Sequence, residues 1–313
     1  MGTLNTNPHN SPEPSLAGPI ETSLAPVRSG LAATDFSSQP TFLMCPPTHY
    51  DVNYVINPWM AGNVHRSSRE RAAQQWNRLH SALRQIAQVL LVDPQPGSPD
   101  MVFTANAGLV RDGIVALSSF HHPERQGEEP HFRRWFHESG FAVCDIPRVT
   151  PFEGEGDALF EANGARLWAG HGPRTRQDSH RHLTGLWDVE VVSLRLIDPR
   201  FYHLDTCFCP LSNGDAMYFP AAFDDESQRK IEARYSRSKR ISVSEVDALQ
   251  FACNAVNVGR TILLNTVSKE LCARLEARGF QTVQVDLTEF LKAGGAAKCL
   301  VLRLSEMDVT HRA

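Results

Sequence analysis

The sequence predicts an α/β fold, and three observations carry that prediction. Short apolar runs of strand length recur from residue 41 onward, stretches with helical spacing fall between them, and no run is long enough for an all-helical bundle. Residues 1–40 stand outside that fold. They are rich in Pro, Ser, Thr and Gly and show no sustained apolar period, which reads as a disordered extension, so residues 41–313 are the expected folded domain.

In chain order, "SSRERAAQQWNRLHSALRQIAQ" opens with a capping-box pattern, Ser67 with Glu70, and carries Trp76, Leu79, Leu83, Ile86 and Leu90 at helical spacing. Strand-like runs follow at "VLLV", "MVFT", "GIVALS" and "FAVCDI". A second helix, "EEPHFRRWFHESG", precedes the last of them and is closed by its glycine. The alternation continues through "VEVVSL", "AMYFP", "DDESQRKIEARY", "SVSEVDALQ", "TILLN", "SKELCARLEARG", "TVQVDL" and "KCLVLRL". No internal repeat is visible in the letters. "GEGD" and "AGHGPR" lack the spacing of a dinucleotide loop, so neither a nucleotide cofactor nor a metal is signalled.

With 313 residues, of which 42% are hydrophobic, the chain can bury a substantial core. Its 31 basic and 35 acidic residues are mixed along the sequence, leaving no basic stripe for a nucleic acid. No apolar stretch approaches the ~20 residues of a membrane span, and no basic-then-apolar leader opens the chain. The expected compartment is the cytoplasm. Seven cysteines, an odd number, fit reduced thiols better than a disulfide framework, and Cys207 and Cys209 in "CFC" lack zinc-site spacing.

Four places put polar groups where a packed core disfavours them. Asn106 in "FTANAGLV" follows an apolar strand, and Glu153, Glu155 and Asp157 stand among glycines in "FEGEGDALF". His203 and Asp205 interrupt an aromatic and apolar strand in "FYHLDTCFCPL", and Cys299 follows "GGAAK". Each has an ordinary explanation alone: a satisfied core histidine, a turn asparagine, a solvated acidic turn, a buried thiol of the kind Cys253 and Cys272 are taken to be. Together they point to chemistry. His203 and Asp205, two apart in a strand, share a face. A thiol stabilised as thiolate is a nucleophile, a histidine protonates a leaving amine and then activates water, and carboxylates hold a planar guanidinium.

"FTANAGLV", "FEGEGD", "HLDTCF" and "GGAAKC", in that order, resemble the guanidino-modifying enzymes of the pentein superfamily: arginine deiminases, dimethylarginine dimethylaminohydrolases and amidinotransferases. The likeness runs from about Thr41 to Leu304. "MCPPTHYDVNYVINPWM", "TANAGLV" and "HLDTCFCPL" are similar, more narrowly, to the arginine dihydrolase domain of cyanobacterial arginine-guanidine-removing enzymes, whose further C-terminal domain is not expected here. The resemblance implies a five-bladed α/β propeller with the active site in its central channel. It implies Cys299 as nucleophile, His203 as general acid and base, and Glu153 as the carboxylate paired with His203 or the guanidinium. Asp205, Asn106 and Asp157 fall to substrate binding. Arg125 in "HHPERQGEE" and Arg174 in "GHGPRTR" match the two carboxylate-clamping arginines, and Asn57 in "INPWM" is placed at the entrance. Two departures bear on function. Asn106 stands where deiminases and dimethylaminohydrolases usually have Asp. "FEGEGD" is one residue longer than the usual Glu, Gly or Ala, Gly, Asp, so Glu153 lies one place too far from Asp157 and Glu155 one too near; Glu153 is preferred because it directly follows Phe152.

The implied function is cysteine-dependent hydrolysis at the guanidinium carbon of free L-arginine through a covalent thiouronium, without cofactor. Asn106 favours a dihydrolase that goes on to ornithine, since an amide both accepts and donates and so suits a neutral ureido group. The alternatives are a dimethylarginine dimethylaminohydrolase or arginine deiminase giving citrulline, an amidinotransferase passing the amidino group to an amine, and a non-catalytic pentein binding module. A homo-oligomer stays open.

Overall fold

In the computed structural model, which describes residues 39–305, the strands gather into five three-stranded sheets. The extension expected over residues 1–40 falls, through residue 38, outside the described residues. β1 (Thr41–Met44) runs parallel to β2 (Gln88–Leu91), and the helix Arg69–Arg84 joins them. Four sheets then repeat one plan, an antiparallel pair followed, after a connection, by a strand parallel to its second member. They are β3 (Gly108–Arg111), β4 (Ile114–Leu117) and β5 (Ala142–Asp145); then β6 (Ala158–Phe160), β7 (Arg166–His171) and β8 (Glu190–Arg195). β9 (Phe208–Pro210), β10 (Ala216–Tyr218) and β11 (Arg240–Ser242) follow, and then β12 (Val256–Val258), β13 (Thr261–Leu264) and β14 (Gln281–Gln284). The last strand, β15 (Leu302–Ser305), returns to pair antiparallel with β1, so the first sheet is completed by the end of the fold.

These five small sheets take the place of the five expected blades. The repeat absent from the letters is present in the topology, because the plan constrains only which positions are buried. Middle strands are covered almost throughout, whereas β2, β5 and β14 keep both ends exposed as edges. Local chemistry sets the corners. Asp112 and Gly113 both take positive φ, 52° and 73°, which joins β3 to β4 in the two-residue Asp-Gly hairpin such turns require.

The first helix buries Ala72, Gln75, Trp76, Leu79 and Leu83, as its apolar spacing predicts. Its cap is one residue later than expected: Ser68 accepts from Arg71 N, while Ser67 is engaged by Asp51. The helix also stops at Arg84, so Ile86 lies in the following turn and Leu90 in β2. "MVFT" is not a strand. Residues Pro99–Val102 and Thr104–Ala107 form consecutive 3₁₀ turns, and the strand begins only at Gly108. His203 and Asp205 likewise lie at and in the 3₁₀ turn Leu204–Thr206, and Cys299 sits in a turn three residues before β15. Continuous apolar letters hid these turns, because a fully buried turn must be apolar too. Among the described residues no helix is long and apolar enough to cross a membrane.

Asn106, the acidic residues of "FEGEGD", His203 with Asp205, and Cys299 therefore occupy the same place in the plan, the turn leading into the strand that pairs antiparallel with the middle strand of its sheet. These turns are stitched to one another in sequence. Asn106 Nδ2 donates to Glu153 O at 3.3 Å, Leu204 N to Asp157 Oδ1 at 3.0 Å, and Asn254 Nδ2 to Asp205 O at 3.2 Å. Cys299 N donates to Asn254 Oδ1 at 3.0 Å, and Ala105 N to Cys299 O at 3.1 Å, which brings the series back to its start.

Candidate active site

Cys299 is 2% exposed, and its Sγ lies between two groups from neighbouring turns. The thiol donates to Asp205 Oδ2 at 3.3 Å, and Asn254 Nδ2 donates to the sulfur at 3.0 Å. Burial, and after it the charge of Asp205, push the Cys299 thiol well above its ordinary value. Burial likewise raises the Asp205 carboxyl to about 7, even though Lys298 opposes the shift. Its second oxygen, Oδ1, is buried with no hydrogen-bond partner among the described residues. This half of the site thus holds a protonated thiol against a carboxylate with an unused acceptor.

The other half is charged and paired. Glu153 is fully buried; its Oε2 meets His203 Nε2 at 2.7 Å and Arg174 Nη1 at 3.0 Å, and its Oε1 accepts His121 N at 3.1 Å. Burial alone raises such a carboxyl, but Arg174 and then His203 outweigh it and hold Glu153 below the usual carboxylate range. Asp157 Oδ2 stands 3.9 Å from the same imidazole nitrogen while its Oδ1 receives Leu204 N, and burial pushes that carboxyl up to about 6. With Nε2 committed to Glu153, His203 Nδ1 is the ring nitrogen left without a partner among the described residues. Glycine makes this crowding possible: a Cβ at Gly156 would fall 2.2 Å from Asn106 Nδ2 and 3.3 Å from His203 Nδ1.

The two arginines are 2% exposed and line a narrow cavity together with Asn57, Asp100, Asn106 and Cys299. Arg125 grips Glu128 through Nε and Nη2, at 2.9 and 2.8 Å, and donates through Nη1 to Asn106 Oδ1 at 2.8 Å. Arg174 adds a bond to Ile56 O at 3.1 Å and lies over the Tyr202 ring, 4.6 Å from its centroid. Asn57 lines the cavity, but its amide is spent on backbone, accepting from Trp59 N and Met60 N and donating to Ala293 O. Glu155, the alternative acid, turns away: it pairs with Lys298 and accepts Arg303 N at 2.8 Å.

Reasoning from the sequence placed His203 and Asp205 on one face of a strand; on the turn they diverge, His203 to Glu153 and Asp205 to Cys299. Three participants were missed. Asn254 carries the same signal as Asn106, an asparagine two residues ahead of a strand, in "CNAVNV". Glu128 is marked only by its i,i+3 spacing from Arg125. Asp100 has no sequence signal; it is buried, lines the cavity, receives Tyr54 Oη on Oδ2 at 3.0 Å, and keeps Oδ1 without a partner among the described residues. No group of three metal-ligating side chains converges among the described residues. The arrangement can take up a planar cation against Asp205, anchor an anionic group between two arginines, and move a proton through His203.

Known proteins share this chain's pattern. The profile of the family described as N,N dimethylarginine dimethylhydrolase, eukaryotic, matches residues 48–306. The bifunctional arginine dihydrolase/ornithine cyclodeaminase ArgZ of Synechocystis is 60% identical over 84% of this chain, which spans only 37% of that protein. The N(G),N(G)-dimethylarginine dimethylaminohydrolase of Mycobacterium tuberculosis is 38% identical over 90% of this chain and 91% of its own. Crystal structures of the N-terminal domain of ArgZ superpose with a TM-score of 0.85 at 59% identity, covering 86% of this chain and 99% or 98% of theirs. One is a cysteine-to-serine mutant bound to substrate, and another an asparagine-to-serine mutant covalently bound to a reaction intermediate.

Proposed function

The chain belongs to the dimethylarginine dimethylaminohydrolase family of the pentein superfamily, and we propose that it is an arginine dihydrolase, a cysteine hydrolase that converts free L-arginine to ornithine, ammonia and carbon dioxide. The observation that carries this reading is the Cys299 thiol resting 3.3 Å from an Asp205 carboxylate that has no cation at hydrogen-bond distance among the described residues. A guanidinium supplies that cation. Docked on Asp205, it lowers the energy of the Cys299 thiolate, which burial otherwise disfavours. The α-carboxylate goes to Arg125 and Arg174, and the open Oδ1 of Asp100 is placed to accept from the α-ammonium.

The thiolate attacks the guanidinium carbon, a C–S bond forms, and His203 gives its proton to the departing ammonia as the C–N bond breaks. His203, held through Nε2 by Glu153, then takes a proton from water, which attacks the thiouronium and expels the thiolate, leaving citrulline. A second round on the ureido carbon releases another ammonia and, after hydrolysis, a carbamate that decays to ornithine and carbon dioxide. Asn106 supports this second round. Its Oδ1 receives Arg125 and its Nδ2 donates to Glu153 O, which leaves the second N–H of the amide to donate, and a ureido oxygen accepts from an amide where it would be repelled by a carboxylate. The replaced cysteine and asparagine of the solved relatives are separated by the same number of residues as Asn106 and Cys299.

The catalytic domain is taken over residues 41–313, supported by the family match to 48–306. The cytoplasm is the proposed compartment, supported by seven unpaired cysteines. Incubation of the purified protein with arginine is the test. Two ammonia per ornithine is expected; citrulline accumulating with one ammonia and no ornithine rules out the second hydrolysis. The family profile favours a second reading, hydrolysis of methylated arginine. Competition between arginine and dimethylarginine separates the two, because the methylated substrate is preferred only if the cavity has room for its methyl groups.

A further inference from the structure

Four of the five inner turns contribute a side chain to the proposed chemistry; the fifth, residues 251–255 leading into β12, contributes none to those steps. Its Asn254 is fully buried and uses every hydrogen-bonding group it has. Oδ1 accepts Cys299 N at 3.0 Å and Ala296 N at 3.2 Å. Nδ2 donates to Cys299 Sγ at 3.0 Å and to Asp205 O at 3.2 Å. The orientation of the amide is therefore fixed by chemistry. A flip would set its oxygen against a carbonyl and a sulfur and its NH₂ against two backbone donors.

We infer that Asn254 is the positioning residue for the nucleophile, holding the backbone of the Cys299 turn with its oxygen and stabilising the Cys299 thiolate with its N–H. The inference rests on Cys299 being the nucleophile of the proposed reaction. Its physical basis is the division of labour around the sulfur. Once ionised, Asp205 can only accept, so its contact with Sγ then exists while the thiol keeps its proton and turns repulsive when the proton leaves. Asn254 can only donate to sulfur there, and a hydrogen bond to an anion is stronger than one to a neutral group. The same side chain also donates to Asp205 O, so it fixes the separation of the thiol from the carboxylate that is to bind the guanidinium. Lys298 is beside Cys299 in sequence but is committed to Glu155 and Val301 O.

The test reads the thiolate without requiring turnover. The rate of alkylation of Cys299 by iodoacetamide is measured against pH in the wild type, in N254D and in N254L, with C299S as the blank for the other thiols. N254D keeps the acceptor that holds Cys299 N and Ala296 N; N254L is close in volume and carries neither donor nor charge. A hydrogen bond to a charged group corresponds to a shift of about 1–2 pH units, so both variants are expected to reach half-maximal alkylation that much higher than the wild type. N254D is expected to move further because of its charge. In steady state, kcat falls and recovers partly as pH rises, while KM for arginine changes little. An N254L midpoint equal to the wild type overturns the inference whatever N254D does. Should N254L lack a cooperative melt, an unshifted N254D overturns it equally. Absence of arginine turnover in the wild type would remove the proposed function and leave the alkylation result standing.

Discussion

The two halves of the site handle buried charge in opposite ways. Around His203, Glu153 pairs with the Arg174 guanidinium and meets the imidazole Nε2, and it stays ionised although it is wholly buried. Around Cys299, Asp205 meets a thiol instead of a cation, and burial raises it to about 7. One half is complete without substrate, and the other is balanced only when a cation arrives. In the proposed reaction the difference separates two tasks: a proton carrier must be poised beforehand, whereas a nucleophile that is a thiolate only beneath a bound guanidinium is protected from unproductive reaction.

The comparison is broken most severely by C299S, which removes the proposed nucleophilic atom and leaves the packing; turnover should fall by about 10⁴-fold or more, with an unchanged melt. E153Q strikes the complete half. It weakens the proton carrier, so kcat should drop by ~10²–10⁴-fold, and it leaves Arg174 buried without its counter-charge, lowering stability by about 3–5 kcal/mol. D205N strikes the incomplete half, and its two effects should oppose each other. Loss of the guanidinium partner should reduce kcat/KM by about 10²–10³-fold.

The fold itself should become more stable. An unfolded Asp205 ionises near its ordinary 3.8, whereas the buried group does so only at about 7, so between those values rising pH favours the unfolded chain. Asparagine removes that penalty. The melting temperature of D205N at pH 8 should therefore exceed that of the wild type, by ~2–4 °C for each kcal/mol relieved, and the gap should close toward pH 4. A D205N protein that melts lower than the wild type at pH 8 would contradict the account of this half.

N106D sharpens the comparison more gently. The first hydrolysis should survive, and citrulline should accumulate over ornithine by roughly tenfold, a change of about 1.4 kcal/mol in partition. The smallest expected effect is the pH dependence of binding: because Asp205 must be ionised to hold the guanidinium, KM for arginine should fall as pH rises through about 7.

Much of this was legible in the letters, and the failures share one cause. The first helix, the Glu129–Glu138 helix and most strands follow from apolar spacing, because one-dimensional periodicity reports which side of an element is buried. Cys299, His203, Asp205 and Asn106 stood out as polar letters in apolar runs. What misled was the assumption that an apolar run is a strand. In "MVFT", "FYHLD" and "KCLV" the chain turns inside the interior, where sheet periodicity does not apply, so the shared face expected of His203 and Asp205 does not exist. Glu153 and Glu155 could not be separated by spacing either. The choice was made by partners distant in the chain, Arg174 and His203 for one, Lys298 and Arg303 for the other.

Composition and pattern alone determined the alternating α/β class, the helices, and the small set of residues with chemistry to offer, because hydrophobic burial and side-chain chemistry are properties of individual letters and their near neighbours. Tertiary structure decided which of those residues meet. Closure of the first sheet by the last strand and the stitching of five inner turns bring residues as far apart in sequence as Asn57 and Cys299 to one cavity. Only that convergence sets the charge each carries, since ionisation depends on burial and on neighbours that no local window of sequence contains.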